Sequence, residues 1–586
     1  MSRQPLLWIA VLGVLFFGDL AVHPGQVLYS PYSDLIPLHL PARRFLARSW
    51  QETGTVPLWC PYNLGGMPFI HDVQSSAFYP LHWPLLWLPE RHQGAALSWL
   101  IVLHVILAGW FMYGYARSRG LESFGAFIAA LGYMFAGKWL LHLLAGGHYN
   151  MVPLAWLPLM LLCLERALWR RSLLWATAAG VAYALIVLSA YPYITLYVGL
   201  FVGLWTLGTV FDPDPIRADR RVPWLRWLGF GVWTVAVAVL LSAVQLWPSV
   251  EAAGLASRSL GVPASAETIT AGLWSLVGLV GPPLTANPDW LWENRTGLGL
   301  LWVALAALGV RLAGKQARWP CVACGFLLAF GCGGAALCQG LPGFRLFQLP
   351  SRILLLLAFP VSLLVGMAMD RLAALPLASG NRRFVVKMMA LPVLLLALLG
   401  VALRLRGEQL TFQPYWVTLL VTLPAAACLL WLPAGKPAWK FAWTGVLLVD
   451  LWGVVLPWLA VRPEAELFAP SASVRYLMDR TKEHGRVLDV APTGTSANNT
   501  PLWPGLPVAL GIEPVRGFNP VDVLRYKEYL QFLTDHDEPL RPLDRMFTSA
   551  VLGGFPIKNQ ALADLLGIRY LVQPRDLPPA NTVLDA

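Results

Sequence analysis

A succession of apolar stretches, each about twenty residues long and separated by short charged segments, occupies residues 5 to 460 of this 586-residue chain. Crossing the ~30 Å hydrocarbon core of a bilayer takes about 20 consecutive apolar residues in helical form, because a backbone without water must satisfy its own hydrogen bonds. Stretches of that length fall near 5–22, 95–116, 122–145, 150–168, 173–190, 192–210, 228–247, 296–313, 319–340, 352–370, 384–403, 414–432 and 440–460. The continuous run 173–210 is divided at Ser189-Ala190-Tyr191-Pro192, since proline interrupts the helical hydrogen-bond ladder. The expectation is an all-α polytopic membrane protein of about 13 transmembrane helices. With 57% hydrophobic and 13% charged residues, the composition excludes a string of soluble domains, which carry about 25% charged residues.

The net charge of +11 follows the same plan. Basic residues gather in the short segments Arg117–Arg119, Arg166–Arg171, Arg217–Arg226, Arg311–Arg318, Arg371–Lys387 and Lys436–Lys440, as in cytoplasmic loops. They alternate correctly if the N-terminus is cytoplasmic and the C-terminal segment lies outside. No basic, aromatic-bearing soluble module is present, so nucleic acid is not expected as a partner. The seven cysteines sit mostly in apolar runs; Cys321-x-x-Cys324 reads as small packing residues within a span, and no disulfide framework is implied. The N-terminal apolar stretch lacks a convincing cleavage site and is expected to remain as the first span.

Residues 1–460 are thus expected to form the transmembrane domain, with a first outer loop at 23–93 and a second outer segment from about Pro248 to Arg295. The first loop carries Trp50, Trp59, Phe69, Phe78, Tyr79, Trp83 and Trp87, too many aromatics for a solvated coil. Pro37–Trp50 is expected as an amphipathic helix with Arg43, Arg44 and Arg48 on one side. It and Ser75–Pro89 are both expected to lie at the membrane interface, with a helical cap on the bundle as the other reading. Residues 461–586 read as a small α/β domain, with strand-like Arg486–Val490 and Ile568–Val572 and a helical Val523–Phe532. The chain ends soon after the second of these strands, so this domain is expected to be truncated.

Soluble nucleotide-driven or zinc-protease chemistry has no support, because no phosphate loop, HExxH or nucleophile elbow occurs in context. The candidate residues lie in the outer segments. Asp34, in Ser33-Asp34-Leu35, is a carboxylate held just beyond the first span. Such a group takes a proton from a hydroxyl or helps hold a cation; a plain loop aspartate or helix cap is the other reading. His71 and Asp72 follow Gly65-Gly66, a pair that lets backbone approach a ligand closely; metal ligation, acceptor contact or a structural turn all fit. Glu293, in Trp292-Glu293-Asn294-Arg295, could bind a sugar or anchor the interface. Arg345 and Arg352 break the basic-inside pattern and suit either a lipid-linked phosphate or ordinary headgroups.

Taken in order, the outer segments resemble the YfhO family of bacterial membrane proteins, a branch of the GT-C class of glycosyltransferases. The resemblance rests on Ser33-Asp34-Leu35, on Pro57-Leu58-Trp59-Cys60-Pro61-Tyr62-Asn63-Leu64-Gly65-Gly66-Met67-Pro68 and on Gln74-Ser75-Ser76-Ala77-Phe78-Tyr79-Pro80-Leu81. Further along it rests on Gln245-Leu246-Trp247-Pro248 with Glu251, on Glu293 and Gly297, on Gly517-Phe518-Asn519-Pro520 and on Leu565-Leu566-Gly567-Ile568-Arg569-Tyr570-Leu571.

The resemblance implies a GT-C-like bundle in the bacterial inner membrane that transfers a sugar at the extracytoplasmic face. The donor would be a sugar on polyprenyl phosphate, and the acceptor a cell-envelope glycan, lipid or protein. Asp34 matches the acidic catalytic residue of the first loop. His71, Asp72, Glu293, Arg345 and Arg352 are then candidates for substrate binding. A divalent cation such as Mg or Mn is a candidate cofactor, with Asp34, His71 and Asp72 as its candidate ligands.

Two departures stand out. Gln348 replaces the arginine that relatives often place before the x-Pro-x-Arg ending at Arg352, and Ser189-Ala190-Tyr191-Pro192-Tyr193 stands where relatives often show Gly-His-Pro-Gln. Two rival readings follow from the residues: a lipid or polysaccharide flippase, which needs no catalytic acid, and a non-catalytic scaffold in envelope assembly.

Overall fold

A computed structural model describes residues 4–211, 221–256, 297–334, 350–374, 379–405, 414–434, 436–481, 485–489, 502–517, 519, 523–534, 557 and 559–572. Helices stand where the apolar runs predict them. In chain order the first are α1 (Gln4–Phe16), α2 (Leu40–Thr53) in the first loop, and α3 (Gln93–Ser118). There follow α4 (Ser123–Met134), α5 (Gly137–Leu144), α6 (Leu157–Arg170), α7 (Leu173–Val187), α8 (Pro192–Phe211) and α9 (Trp224–Leu255). The second half contributes α10 (Leu300–Ala313), α11 (Arg318–Ala329), α12 (Ala358–Ala374), α13 (Ser379–Leu405), α14 (Pro414–Leu429) and α15 (Pro437–Val455).

Among the described residues, eight helical stretches are long and apolar enough to cross a membrane. The break at Ser189–Pro192 is real, and its cause is the one expected: α7 ends at Val187 and Pro192 opens α8.

Close helix contacts form where side chains are smallest, as in membrane bundles. Helix α12 packs between α10 and α4. At its crossing with α4, a Cβ on Gly125 would strike the Gly366 carbonyl and Asp370, and one on Gly309 of α10 would strike the Leu364 backbone. Asp370 uses this closeness to accept hydrogen bonds from the backbone amides of Glu122 (2.6 Å) and Gly125 (2.7 Å), capping the start of α4.

One end of the bundle is covered by the first loop and the C-terminal segment together. Strand β1 (Val27–Tyr29) pairs antiparallel with Ala460–Arg462, aligning Leu28 with Val461. The short hairpin Trp59–Cys60 and Met67–Pro68 lies in the same loop. Arg486–Asp489 pairs in parallel with Ile568–Val572, and Leu524–Thr534 forms a helix beside them, so the strand and helix elements expected there exist. These tail elements sit directly on the first loop: Tyr526 packs against Gly65, Gly517 against Asn63, and Gly505 against Pro37.

One expectation is corrected by this packing. The arginines of α2 do not face lipid headgroups. Arg43 is 2% exposed and donates to the carbonyls of Ser75 and Ser76 and to His82 Nδ1 (2.7 Å). Arg44 pairs with Glu464 at 2.7 Å, and Arg48 with Glu90 at 2.6 Å. The positive face is an internal clamp because Glu464 of the C-terminal segment and Glu90 at the end of the first loop supply carboxylates that the local pattern of 37–50 does not contain.

Pro248, where the second outer segment is expected to begin, lies inside α9, so the helix carries on past it. At 32 residues, about 48 Å, this helix exceeds the ~30 Å hydrocarbon thickness and reaches the first loop. Gln245 there donates to the Ile70 carbonyl (2.8 Å), and Ser249 to that of His71 (2.8 Å).

Glu464 is the main tie between tail and bundle. Its carboxylate, 6% exposed, pairs with Arg44 and accepts from the Gly94 amide (3.0 Å) at the start of α3, where the helix dipole favours a negative charge. Glu464→Gln removes that charge and leaves Arg44 half-satisfied in a buried site, an expected cost of about 2 kcal/mol. Thermal unfolding in detergent should show a lowered midpoint for this variant and none for Glu466→Gln, whose side chain is exposed.

Candidate active site

Asp34 lies where the loop leaving β1 turns into an unusual helical segment. Residues Leu35–His39 form a single π-type turn, in which the Asp34 carbonyl accepts from both Leu38 N (3.1 Å) and His39 N (3.3 Å). π-turns recur at functional sites, because their wider helical turn re-aims side chains that an α-helix would stack. The Asp34 amide donates to the Gly146 carbonyl at 2.9 Å. Gly147 has φ +59°, and a Cβ there would stand 2.8 Å from Asp34 N and 2.7 Å from Leu35 N. Only glycine permits this apposition, and it delivers the next residue: His148 Nε2 lies 3.2 Å from Asp34 Oδ2. Asp34 keeps 35% of its side-chain exposure while His148 keeps 8%, so the carboxylate is oriented from behind and open in front.

The wall beside this pair is aromatic. The His148 ring meets His142 (5.6 Å between centroids) and Tyr191 (5.7 Å). Tyr191 stacks on Tyr193 at 5.3 Å with 9° between planes. Arg352 donates from Nη1 to the Tyr193 hydroxyl (2.8 Å), with its guanidinium 5.1 Å from that ring. Asp34 and Arg352, two of the residues expected from sequence, are therefore joined through His148, Tyr191 and Tyr193.

His71 and Asp72 form the adjoining turn. Asp72 Oδ1 accepts from Gln74 N (2.9 Å), and Oδ2 accepts from Asn519 Nδ2 (2.9 Å) of the tail. Burial pushes its carboxyl above the usual carboxylate range, against the opposing pull of His71 and of these hydrogen bonds. Gly65 and Gly66 answer to packing on Tyr526 and on the Trp59 indole, not to an approaching ligand. Glu293 and Arg345 lie outside the described residues.

His39 links the two carboxylates. Its ring is 5% exposed, and Nδ1 meets the carbonyl of Gln74 at 3.3 Å, the residue whose amide donates to Asp72 Oδ1. Burial pulls this imidazole down to about 4, opposed by Asp34 and the Gln74 carbonyl. It is neutral at pH 7. The unfolded chain takes up the proton near 6.5, so the stability that the neutral ring confers is fully present above that value and is lost as pH falls toward 4. A loss of about 3 kcal/mol is expected over the window. Thermal unfolding between pH 7 and 4 should fall less steeply, by about one proton, in His39→Asn, which keeps a donor near Nδ1 but does not titrate.

Among the described residues, no three His, Cys, Asp or Glu side chains converge as metal ligands would. The candidate set Asp34, His71 and Asp72 does not gather: Asp34 meets His148 instead, and both Asp72 oxygens accept internal hydrogen bonds. Among the described residues these three side chains do not form a cation site.

Sequence reasoning missed His148, His39, Tyr191 and Asn150. A signal for the first was available: the pair Gly146-Gly147 stands directly before His148.

No protein-family profile matches the chain, and no curated protein sequence is significantly similar to it. Solved structures resemble it to differing degrees. The arabinofuranosyltransferase AftD from mycobacteria superposes over 100% of this chain with a TM-score of 0.50 and 19% identity, and this chain spans 38% of AftD. ArnT from Cupriavidus metallidurans, solved with undecaprenyl phosphate, gives 0.48 at 12% identity, covering 88% of this chain and 86% of ArnT. The oligosaccharyltransferase of Archaeoglobus fulgidus gives 0.47 at 12% identity, covering 97% of this chain and 69% of that enzyme. The likeness to AftD is one of fold, a polytopic helical bundle.

Proposed function

We propose that this chain is a membrane glycosyltransferase of the YfhO branch of the GT-C class. It takes a sugar from a polyprenyl-phosphate donor and passes it to a cell-envelope acceptor at the extracytoplasmic face of the bacterial inner membrane. The observation that carries the reading is Asp34: an open-fronted carboxylate backed by His148, on a π-turn, where the first loop and the tail converge on the bundle. In this reading the N-terminus is cytoplasmic, because Arg117, Arg119, Arg170 and Arg171 end α3 and α6 at their basic termini. Residues 461–586 then act as an outer domain resting on the loop 23–93.

In the reaction, Asp34 takes the proton of the acceptor hydroxyl as its oxygen attacks the anomeric carbon. The bond from that carbon to the phosphate oxygen breaks, and the lipid phosphate leaves with the bonding pair. Arg352, which holds the aromatic wall through Tyr193, stands on the side suited to phosphate. His71 presents its backbone to Ser249, while Asp72 anchors the tail through Asn519, so both shape the acceptor side.

The test is Asp34→Asn in full-length protein in nanodiscs, supplied with radiolabelled farnesyl-phosphate-linked sugars. Sugar transfer or release should be lost; full activity in the folded variant would overturn the assignment. The flippase reading predicts that the label crosses the bilayer still attached to its lipid, whatever residue 34 is.

A further inference from the structure

We infer that Tyr191 is a substrate-contacting residue of this site: its ring is the wall against which the transferred sugar lies, and its hydroxyl meets a sugar hydroxyl. The inference rests on the transferase reading and adds the residue that selects the sugar.

Three observations carry it. Tyr191 is held between two rings. It lies in the break between α7 and α8, with its ring edge-on to His148 and face-stacked on Tyr193, which Arg352 fixes in turn. The break itself is anchored beneath, since Asn150, fully buried, donates to the Ser189 carbonyl and to Ser76 Oγ (3.2 Å), and Ser76 Oγ lies 3.2 Å from Ser189 Oγ. Such locking of a ring against a second ring and a guanidinium is what a preorganised platform requires.

The hydroxyl, by contrast, is unused. The residue is 9% exposed, yet its hydroxyl makes no hydrogen bond to any described residue and is not sealed from solvent. Tyrosine hydroxyls this deep normally find a partner.

The charges around it complete the picture. Burial, then Asp34 and Tyr193, raise the phenol well above its ordinary value, with Arg352 opposing and Asp72 adding a weaker push. Tyr191 is therefore a protonated, neutral phenol, joined to Asp34 across the His148 ring. A flat ring with one neutral donor–acceptor suits the C–H face and a hydroxyl of a sugar. A bare phosphate would call for a cation instead. The departure Ser189-Ala190-Tyr191-Pro192-Tyr193 is then a change of contact chemistry, with no polar function missing.

The experiment uses the full-length protein in nanodiscs and tritiated farnesyl-phosphate-linked pentoses and hexoses, with release of labelled sugar as the readout. For the sugar that wild type accepts, Tyr191→Phe should raise KM about three- to tenfold, the worth of one neutral hydrogen bond, with kcat within about twofold. One monodeoxy analogue of that sugar should behave alike in wild type and Tyr191→Phe. Sugar-free farnesyl phosphate should inhibit both equally. An unchanged KM in Tyr191→Phe overturns the inference, as does an equal loss of farnesyl phosphate inhibition, which would put the ring against the lipid phosphate. Failure of this kind leaves the transferase reading intact provided Asp34→Asn is inactive. Release of sugar by Asp34→Asn at the wild-type rate, or no release from any sugar by wild type, overturns both.

Discussion

Asp34→Asn is expected to lower sugar transfer by about two to four orders of magnitude, the usual worth of a positioned general base. Asparagine preserves the shape of the side chain and leaves its amide free to donate to Gly146, so the π-turn and the neighbouring His148 have no reason to move. What disappears is the capacity to accept a proton from the acceptor as the glycosidic bond forms. The loss should therefore fall on kcat, with inhibition by farnesyl phosphate unchanged, because the donor phosphate does not depend on that proton. A variant that loses kcat and inhibitor binding together would point to a collapsed site, and a variant that loses neither would remove Asp34 from the chemistry.

The second large effect is expected at a residue that never touches substrate. Gly147→Ala forces a methyl group into the space occupied by the amides of Asp34 and Leu35, at a φ of +59° that an L-residue disfavours. The conformational cost is about 1 kcal/mol, and the overlap with backbone adds about 1–3 kcal/mol. Relief requires the Asp34 loop to retreat from His148, and a displacement of about 1 Å at a catalytic group costs on the order of a hundredfold in rate. Gly314→Ala is the control: Gly314 has a φ of +55°, but a Cβ there meets nothing within 4 Å, so only the conformational cost applies. Comparing the two variants by thermal unfolding and by sugar release separates strain from apposition. If Gly147→Ala were no worse than Gly314→Ala, the close packing of 146–148 on Asp34 would be wrong.

The particular elements show how far the sequence could be read. Apolar runs and Pro192 sufficed to locate the helices, because each span is decided by the solvent it must cross and not by its neighbours. The tail strands at 486–489 and 568–572 were legible from local composition, as was a helix in the first loop. Asp34 was visible as an acid beyond the first span. The extension of α9 past Pro248 was not, since it depends on Gln245 and Ser249 finding carbonyls in a distant loop. The direction of Arg43, Arg44 and Arg48 was not legible either, because an amphipathic face announces only that it has a partner; lipid headgroups and Glu464 satisfy the pattern equally well.

The same distinction governs the site. The sequence by itself determined that apolar helices bundle across a membrane and that an aspartate, Asp34, follows the first of them. Only the tertiary structure decided that His148, Tyr191 and Arg352 are the neighbours of that aspartate, and that Asp72 faces Asn519 of the tail. Transfer from water into lipid is a property each segment carries alone, so it is written in the local run of residues. Hydrogen bonds and ring contacts between segments far apart in the chain exist only once the helices have packed, and no local run records them.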